Sequence, residues 1–233
     1  MIVLGIDTSG YVNAVGIVNG SHVMADSRFP AGTDTLEQIV DNIDVTLKNA
    51  GLTLKEVDGI GVGLGPGSWT GIKVGVTVGK MLAFSAGKPV AGIPTLEAIA
   101  YNAGKESLPV YAVIGAGVKN LVYAARYHVN GSEVTRNGDY FAGDARELAG
   151  IIKERAILAG QEAARYKEII IKENNNLKNR IEAIENEPAG ASIARLAAAR
   201  LLYGQSDDPL SLTPLYLKES TAKVFVNKYA GKT

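Results

Sequence analysis

Residues 2–29 of the chain, IVLGIDTSGYVNAVGIVNGSHVMADSRF, determine the architecture that follows from the sequence. Its apolar and β-branched runs predict three strands, Ile2–Asp7, Asn13–Val18 and His22–Phe29. A turn over residues 8–10 separates the first two, and the pair Asn19-Gly20, a strong hairpin signal, separates the last two. A three-stranded antiparallel meander is therefore expected at the start of the chain.

Helices and strands alternate after this meander. A helix is expected from about Asp34, capped by Thr33 or Asp34, because the apolar residues that follow recur on one helical face. The sequence then predicts a buried strand, a helix, a strand and a helix, over Val57–Leu64, Trp69–Ala86, Pro89–Gly92 and Thr95–Ala103.

The second half of the chain repeats this order in outline. Helical sequence is expected from Asp144, and a last helix over Ala189–Tyr203. The charged segment Lys172–Glu187 is interpreted as a surface helix and loop. Three strands precede these elements, over Val110–Ile114, Leu121–His128 and Glu133–Phe141. Two meanders that are each followed by helices favour an internal duplication.

The composition limits the classes of function. Of 233 residues 46% are hydrophobic, which is enough for a globular core. The absence of cysteine excludes disulfides, thiolate zinc sites and a cysteine nucleophile. The 24 basic and 24 acidic residues balance, whereas a free-standing RNA binder usually has a basic excess, so a partner is expected to hold most of any RNA. Apolar segments are short or interrupted by charges, which predicts a soluble, cytoplasmic protein without membrane contact.

Two turns have residues that suit a vestigial phosphate site. Asp7, Thr8 and Ser9 end the first strand, and carboxylate, hydroxyls and turn amides can hold a cation and a phosphate. Gly65, Gly67 and Ser68 lie between a strand and a helix, where free amides can bind an anion. The alternatives are a turn that only closes a hairpin and a Ser68 that only caps the helix. Neither segment matches a nucleotide-binding fingerprint.

A stripe of glycines runs along the helix predicted over Trp69–Ala86. Gly71, Gly75 and Gly79 recur every four residues, and glycine inside a helix costs about 1 kcal/mol relative to alanine. A bare stripe allows a close approach, either by the protein's own sheet or by a partner helix.

Metal-dependent catalysis has no support in the sequence. The two histidines, His22 and His128, both fall in predicted strands and lie far apart. No group of Cys, His and Asp residues has metal-ligand spacing, so no metal site and no catalytic residue are predicted.

Residues 65–75, GPGSWTGIKVG, resemble the signature of the TsaB/YeaZ family, GPGSFTGxRxG, with Trp69 and Lys73 as the only changes. The opening Ile6–Ser9, the segment Gly92–Ala98 and the late Pro214–Lys218 are also similar to that family. The family's frequent Asp-Ala-Arg triplet in the second lobe is replaced here by residues 114–117, IGAG.

The resemblance implies an α/β fold of the actin/Hsp70/sugar-kinase class, with two RNase-H-like lobes over residues 1–104 and 105–233. It also implies a subunit that helps to make threonylcarbamoyladenosine beside the anticodon of tRNA. Its partners would be a TsaD-like catalytic paralogue and a TsaE-like ATPase, with tRNA bound through the complex and possible pairing with a second copy. A stand-alone ATPase or kinase of the same fold is the alternative; a metallopeptidase of the M22 type would need metal ligands that are missing.

The resemblance also implies that this subunit is not the catalyst. The TsaD paralogue has a His-x-x-x-His metal pair where this chain has Thr95 and Ile99, and neither side chain can replace a histidine. No cofactor is expected to bind tightly to this chain alone, and ATP is expected to be used by the assembled complex.

Paralogues of this class are implied to pair through the first lobe, and the bare glycine stripe would let a partner helix come close. The predicted interface comprises apolar residues of the first helix and the glycine stripe with its apolar neighbours: Leu36, Ile39, Val40, Ile43, Leu47, Gly71, Val74, Gly75, Val78, Gly79 and Leu82.

Overall fold

The computed structural model describes residues 1–32, 35–104 and 108–217. The predicted cap at Thr33 or Asp34 and the residues from Lys218 onward lie outside these ranges. None of the helices in the described ranges has the length and hydropathy needed to cross a membrane.

The first sheet has five strands: β1 Ile2–Asp7, β2 Val12–Asn19, β3 His22–Pro30, β4 Gly59–Gly63 and β5 Val90–Ile93. Their order in the sheet is β3-β2-β1-β4-β5. The meander pairs are antiparallel, and β1, β4 and β5 are parallel to one another. The predicted meander is confirmed, and β4 ends one residue before the predicted Leu64.

Two helices cover the outer face of this sheet. Helix α1 spans Thr35–Asn49 and helix α2 spans Trp69–Ala86, and they pack beside each other. Ser68 caps α2, since its Oγ accepts a hydrogen bond from Gly71 N at 3.3 Å. The third helix of this half, α3 Thr95–Ala103, is also confirmed but does not cover this sheet.

The strands of the second sheet are β6 Val110–Gly115, β7 Leu121–Asn130, β8 Glu133–Arg136, β9 Phe141–Asp144, β10 Ala156–Gly160 and β11 Ile181–Glu185. The sheet repeats the strand order of the first, as β8-β7-β6-β10-β11, with the same parallel and antiparallel pairs. Its helices are α4 Leu148–Ile151 and α5 Ala163–Glu173, and the chain continues to α6 Gly190–Leu202. The duplication predicted from the sequence is confirmed by this topology.

Two predictions in this half are wrong. The single strand expected over Glu133–Phe141 is two strands, β8 and β9, which both pair with β7 and are separated by a turn where Gly138 has a φ of 90°. The surface helix and loop expected over Lys172–Glu187 include β11, whose Ile181 packs into the core despite its charged neighbours. The charged residues of this edge strand made the segment resemble a surface helix, although Ile181 is buried.

The last helix of each half packs on the sheet of the other half. Helix α3 lies on the second sheet, where Leu96 and Ile99 join a core with Val110 and Ala112. Helix α6 lies on the first sheet. Packing therefore exchanges α3 and α6 between the two lobes, an exchange that the predicted division at residues 104 and 105 did not include.

A row of glycines explains where α6 lies. Gly16, Gly5 and Gly61 are register partners on the neighbouring strands β2, β1 and β4. A Cβ on Gly5 would lie 2.2 Å from the carbonyl oxygen of Gly190, and one on Gly61 would lie 2.6 Å from the Cβ of Ala197. The helix backbone therefore sits in a groove that only glycine leaves open.

The segment after α6 also belongs to the first lobe. Asp207 bridges to Val90 at the edge of the sheet, and Leu212 joins the core beside α2. Leu215 N donates to Leu64 O at 2.8 Å, which brings the chain to the loop before α2. The last described residues therefore lie beside the glycine-rich loop over residues 65–68.

Candidate functional site

A buried polar cluster lies where β1 ends and α3 begins. Asp7 is 1% exposed, and its Oδ1 accepts hydrogen bonds from Ser9 N at 2.8 Å and Ser9 Oγ at 2.5 Å. Its Oδ2 accepts from Thr95 Oγ1 at 2.8 Å. The turn of the first half is therefore tied to the helix that covers the second sheet.

The glycine-rich loop closes over this cluster. Gly65 N donates to Thr95 Oγ1 at 3.1 Å, and Ser68 N donates to Ser9 O at 2.7 Å. A Cβ on Gly67 would lie 2.2 Å from Ser9 O, so the two turns are in direct backbone contact. The loop glycines therefore serve close packing between the turns.

The six residues of the predicted vestigial phosphate site do lie together, but several of their polar groups are already engaged within the protein. The amides of Ser9, Gly65 and Ser68 already donate to protein atoms. Thr8 Oγ1 donates to Gly71 O at 2.6 Å, so this hydroxyl is also engaged. The alternatives weighed for the sequence, a closed turn and a Ser68 helix cap, fit the structure.

Burial changes the ionisation of the acid in this cluster. It raises the pKa of Asp7 above the ordinary value, and this outweighs the hydrogen bonds from Ser9 and Thr95, which lower it. A carboxyl that is buried, engaged at both oxygens and inclined to keep its proton is a poor ligand for a hard cation. Asp7 acts as a structural anchor.

A cleft of about 840 Å³ opens between the lobes beside this cluster. The first lobe contributes residues 9–11, 31–32 and 67–70, and the second contributes 114–118, Leu121, Tyr123 and Gln161. These lining residues include glycines, hydroxyls, aromatic rings and one amide, and none of them is charged. A nucleoside triphosphate with its Mg²⁺ needs cationic and carboxylate groups that this lining does not provide, so the residues present do not fit that ligand.

The two positions that would carry the histidine pair in a TsaD-like protein are both fully buried. Thr95 belongs to the Asp7 cluster, and Ile99 packs in the core over the second sheet. Within the described part of the chain, no three His, Cys, Asp or Glu side chains come together as a metal site would require.

The glycine stripe of α2 faces the protein's own first sheet. A Cβ on Gly71 would lie 2.0 Å from Thr8 O, one on Gly75 would lie 2.3 Å from Thr8 Oγ1, and one on Gly79 would lie 2.3 Å from Val62 Cγ2. The prediction that this stripe meets a partner is therefore wrong. Further predicted interface residues are buried or partly buried in the same lobe: Ile39, Ile43, Leu47, Val74, Val78 and Leu82.

Two predicted interface residues do lie on the surface. Leu36 and Val40, one turn apart on α1, are more than half exposed, as are Met81 and Phe84, three residues apart on the neighbouring helix α2. We call these four side chains, which lie on two helices in contact with each other, the exposed helix face. Met81 and Phe84 were not predicted, although large apolar residues on a helix outside its glycine stripe are a sequence signal for an exposed apolar surface.

The fold and its cleft define a class of protein. Two sheets of the order 3-2-1-4-5, with exchanged last helices and a cleft between them, are the duplicated architecture of the actin/Hsp70/sugar-kinase class. YeaZ of Pseudomonas aeruginosa matches 93% of this chain and 99% of its own, with a TM-score of 0.75 and 22% identity. Component A of the (R)-2-hydroxyglutaryl-CoA dehydratase of Acidaminococcus fermentans matches 85% of this chain and 96% of its own, at a TM-score of 0.50 and 14% identity.

The sequence comparisons place the chain more narrowly. Residues 31–224 match the family model described as TsaD: tRNA N6-adenosine threonylcarbamoyltransferase. The tRNA threonylcarbamoyladenosine biosynthesis protein TsaB of Bacillus subtilis is 24% identical over 227 residues, covering 96% of each chain. The chain belongs to this family, in its TsaB/YeaZ branch.

Proposed function

We propose that this chain is a non-catalytic subunit of the complex that makes threonylcarbamoyladenosine in tRNA, and that it activates a TsaD-like catalytic subunit. Membership of the TsaB/YeaZ branch supports the pathway. The observation that supports the non-catalytic role is that Thr95 and Ile99 stand at the positions of the paralogue's metal pair, where Thr95 hydrogen-bonds Asp7 and Ile99 packs in the core.

The cleft also favours a chain without catalytic activity of its own. Its lining is uncharged, and the acid nearest to it, Asp7, is buried and bonded to Ser9 and Thr95. Phosphoryl transfer depends on cations and carboxylates that hold the metal and the phosphates. A stand-alone ATPase or kinase, the alternative from the sequence, is therefore less favoured than a subunit that leaves chemistry and ATP use to the assembled complex.

The exposed helix face is the surface we assign to the TsaD-like partner. Fully burying one large apolar side chain is worth about 1.5–3 kcal/mol, so four side chains that are now in water can drive association. A few such anchors usually supply most of the energy of an interface. The glycine stripe of α2 packs closely on the sheet and fixes the position of that helix, which keeps the exposed helix face in one shape.

The remaining partners follow from the pathway. A TsaE-like ATPase would join the pair, tRNA would bind through the complex, and the assembly would act in the cytoplasm. A second copy of this chain could use the same exposed helix face, so a homodimer would compete with the catalytic partner.

Pairing can be tested by placing charges on the exposed helix face. We expect the double variant Val40→Asp, Met81→Asp to weaken co-purification with the TsaD-like subunit at least about 100-fold, because two desolvated charges oppose burial. Its melting temperature should stay near that of the wild type. Leu202→Asp, at a side chain exposed on α6, is the matched control and should pair normally. If the double variant pairs as well as this control, the assigned surface is wrong.

A further inference from the structure

Three aromatic side chains are exposed around the mouth of the cleft. Tyr11 is 59% exposed, Trp69 is 42% exposed and Tyr216 is 41% exposed. Tyr11 and Trp69 line the cleft, and the Tyr216 ring lies 4.3 Å from the Trp69 ring, centroid to centroid. We call this group the aromatic mouth. Covering an exposed aromatic ring lowers the free energy of the protein in water. Three such rings grouped at one opening therefore indicate a ligand that covers them.

Two segments that are far apart in the chain, the start of α2 and the segment after α6, hold Trp69 and Tyr216 of the aromatic mouth in place. Trp69 begins α2, whose first turn is fixed by the Ser68 cap and by the contact of Gly71 with Thr8. Tyr216 follows the hydrogen bond from Leu215 N to Leu64 O. The rings are therefore presented on fixed backbone, which lowers the entropy lost when a flat ligand stacks on them.

The charge distribution at this site suits a ligand that has a neutral part and an anionic part. The cleft lining is uncharged and suits a neutral aromatic group. Lys73 is not part of this lining, and its side chain is exposed to solvent; its Nζ lies over the Trp69 ring, 4.5 Å from the ring centre, so that face of the ring is already covered by a cation. A ligand with a flat neutral base and a single phosphate beside it matches this arrangement, whereas a compact triphosphate does not.

We infer that the aromatic mouth binds an unstacked nucleobase of single-stranded RNA, with the adjacent backbone phosphate near Lys73. This inference rests on the proposed function, because it assigns part of the tRNA contact to a subunit without catalytic groups. Single-stranded RNA is read in this way elsewhere, by aromatic stacking combined with a nearby cation. Among the residues that the structure describes, Lys73 is the cation against Trp69, and one such charge beside a neutral cleft gives local, weak binding, in agreement with a chain of zero net charge.

The chain reports on this site directly, because Trp69 is its only tryptophan. Titration of the full chain with an oligoadenylate pentamer should quench the tryptophan fluorescence in a saturable manner. Adenosine should quench more weakly, and ATP should not bind more tightly than the pentamer. Lys73→Ala should weaken pentamer binding about tenfold and lower the dependence on salt by roughly one phosphate contact.

Matched controls separate the site from general effects. Tyr216→Ala should weaken pentamer binding, whereas Tyr203→Ala, at an exposed tyrosine directly after α6, should not. Lys153→Ala, an exposed lysine of the second lobe, is the control for charge. Absence of quenching by the pentamer, tighter binding of ATP, or equal effects of Tyr216→Ala and Tyr203→Ala would each overturn the inference.

The outcome can be kept apart from that of the proposed function. The Tyr216→Ala chain should still co-purify with the TsaD-like subunit, since Tyr216 is not part of the exposed helix face. If pairing through that face holds and the pentamer causes no quenching, only the RNA inference fails. If the pentamer quenches but no pairing is found, the proposed function fails instead.

Discussion

The two sheets share one strand order, yet their inner faces are built from different residues. The first sheet presents the glycine row Gly16, Gly5 and Gly61 to α6, whose backbone lies almost against the strands. The second sheet presents a row of alanines, Ala125, Ala112 and Ala159, to the larger side chains of α3. The same topology is therefore closed by backbone contact in one lobe and by side-chain packing in the other.

The outer faces differ in the same way. In the first lobe the glycine stripe of α2 lets the helix meet Thr8 and Val62 directly, whereas α5 in the second lobe packs through Tyr166 and Ile170. Close contact on both faces leaves the first lobe little room to adjust. The lobe that carries the exposed helix face and the aromatic mouth is thus the more rigidly constructed of the two.

The largest effect is expected where a bulky group enters the glycine stripe. Gly75→Leu should destabilise the protein by more than about 3 kcal/mol, because its Cβ alone would lie 2.3 Å from Thr8 Oγ1. Thr77→Leu, on the exposed side of the same helix, should leave the melting temperature almost unchanged. Thermal melting of both variants decides the matter: a Gly75→Leu protein that melts normally but fails to pair would restore the stripe as a partner surface.

A smaller group in the glycine row should cost somewhat less. Gly5→Ala places a methyl 2.2 Å from the backbone oxygen of Gly190, and overpacking of this kind costs about 1–3 kcal/mol. Gly150→Ala has open space around its Cβ and should be neutral or slightly stabilising. Urea unfolding of the two variants measures this difference. If Gly5→Ala were as stable as Gly150→Ala, the claim that backbone contact closes the first lobe would be contradicted.

The alanine row should tolerate change better. Ala112→Gly removes one buried methyl under α3 and should cost about 1–2 kcal/mol, from lost burial and added strand flexibility. The comparison is sharpened if this loss is smaller than that of Gly5→Ala in the same unfolding assay. A larger loss would mean that the second lobe is the less tolerant one.

The strand ends also differ, since β1 ends in Asp7 and β6 ends in Gly115. Burial raises the pKa of Asp7, so the folded state holds its proton more tightly than the unfolded state does. The wild type should therefore lose stability relative to Asp7→Asn as the pH rises from about the ordinary value of 3.8 through the raised value, and then level off. Unfolding free energies of both proteins across this range test the sign. A difference that does not vary with pH would contradict it.

Much of the fold could be predicted from the sequence because its signals are local. The meander of residues 2–29 and the helix from Trp69 to Ala86 follow from turn residues and periodicity. The exchange of α3 and α6 could not be predicted, since a pattern shows which face of a helix is buried but not which sheet buries it. Strand glycines such as Gly5 and Gly61 were the only sign of it.

The candidate site was predicted in its membership but not in its chemistry. Asp7, Ser9 and Ser68 do come together, yet the sequence cannot show that the amides and hydroxyls around them already bond to each other. The aromatic mouth was missed because Trp69 and Tyr216 lie far apart in the chain and meet only through the segment after α6.

Activation of a catalytic partner is tested most directly by reconstituting the transfer of threonylcarbamoyl from an activated threonylcarbamoyl donor to tRNA, with the purified TsaD-like subunit and the TsaE-like ATPase. We expect no transfer by this chain alone, strong stimulation when the wild-type chain is added, and little stimulation by the Val40→Asp, Met81→Asp chain. The Leu202→Asp chain should stimulate as the wild type does. Transfer by this chain alone, or full stimulation by the double variant, would contradict a non-catalytic subunit that works through its exposed helix face.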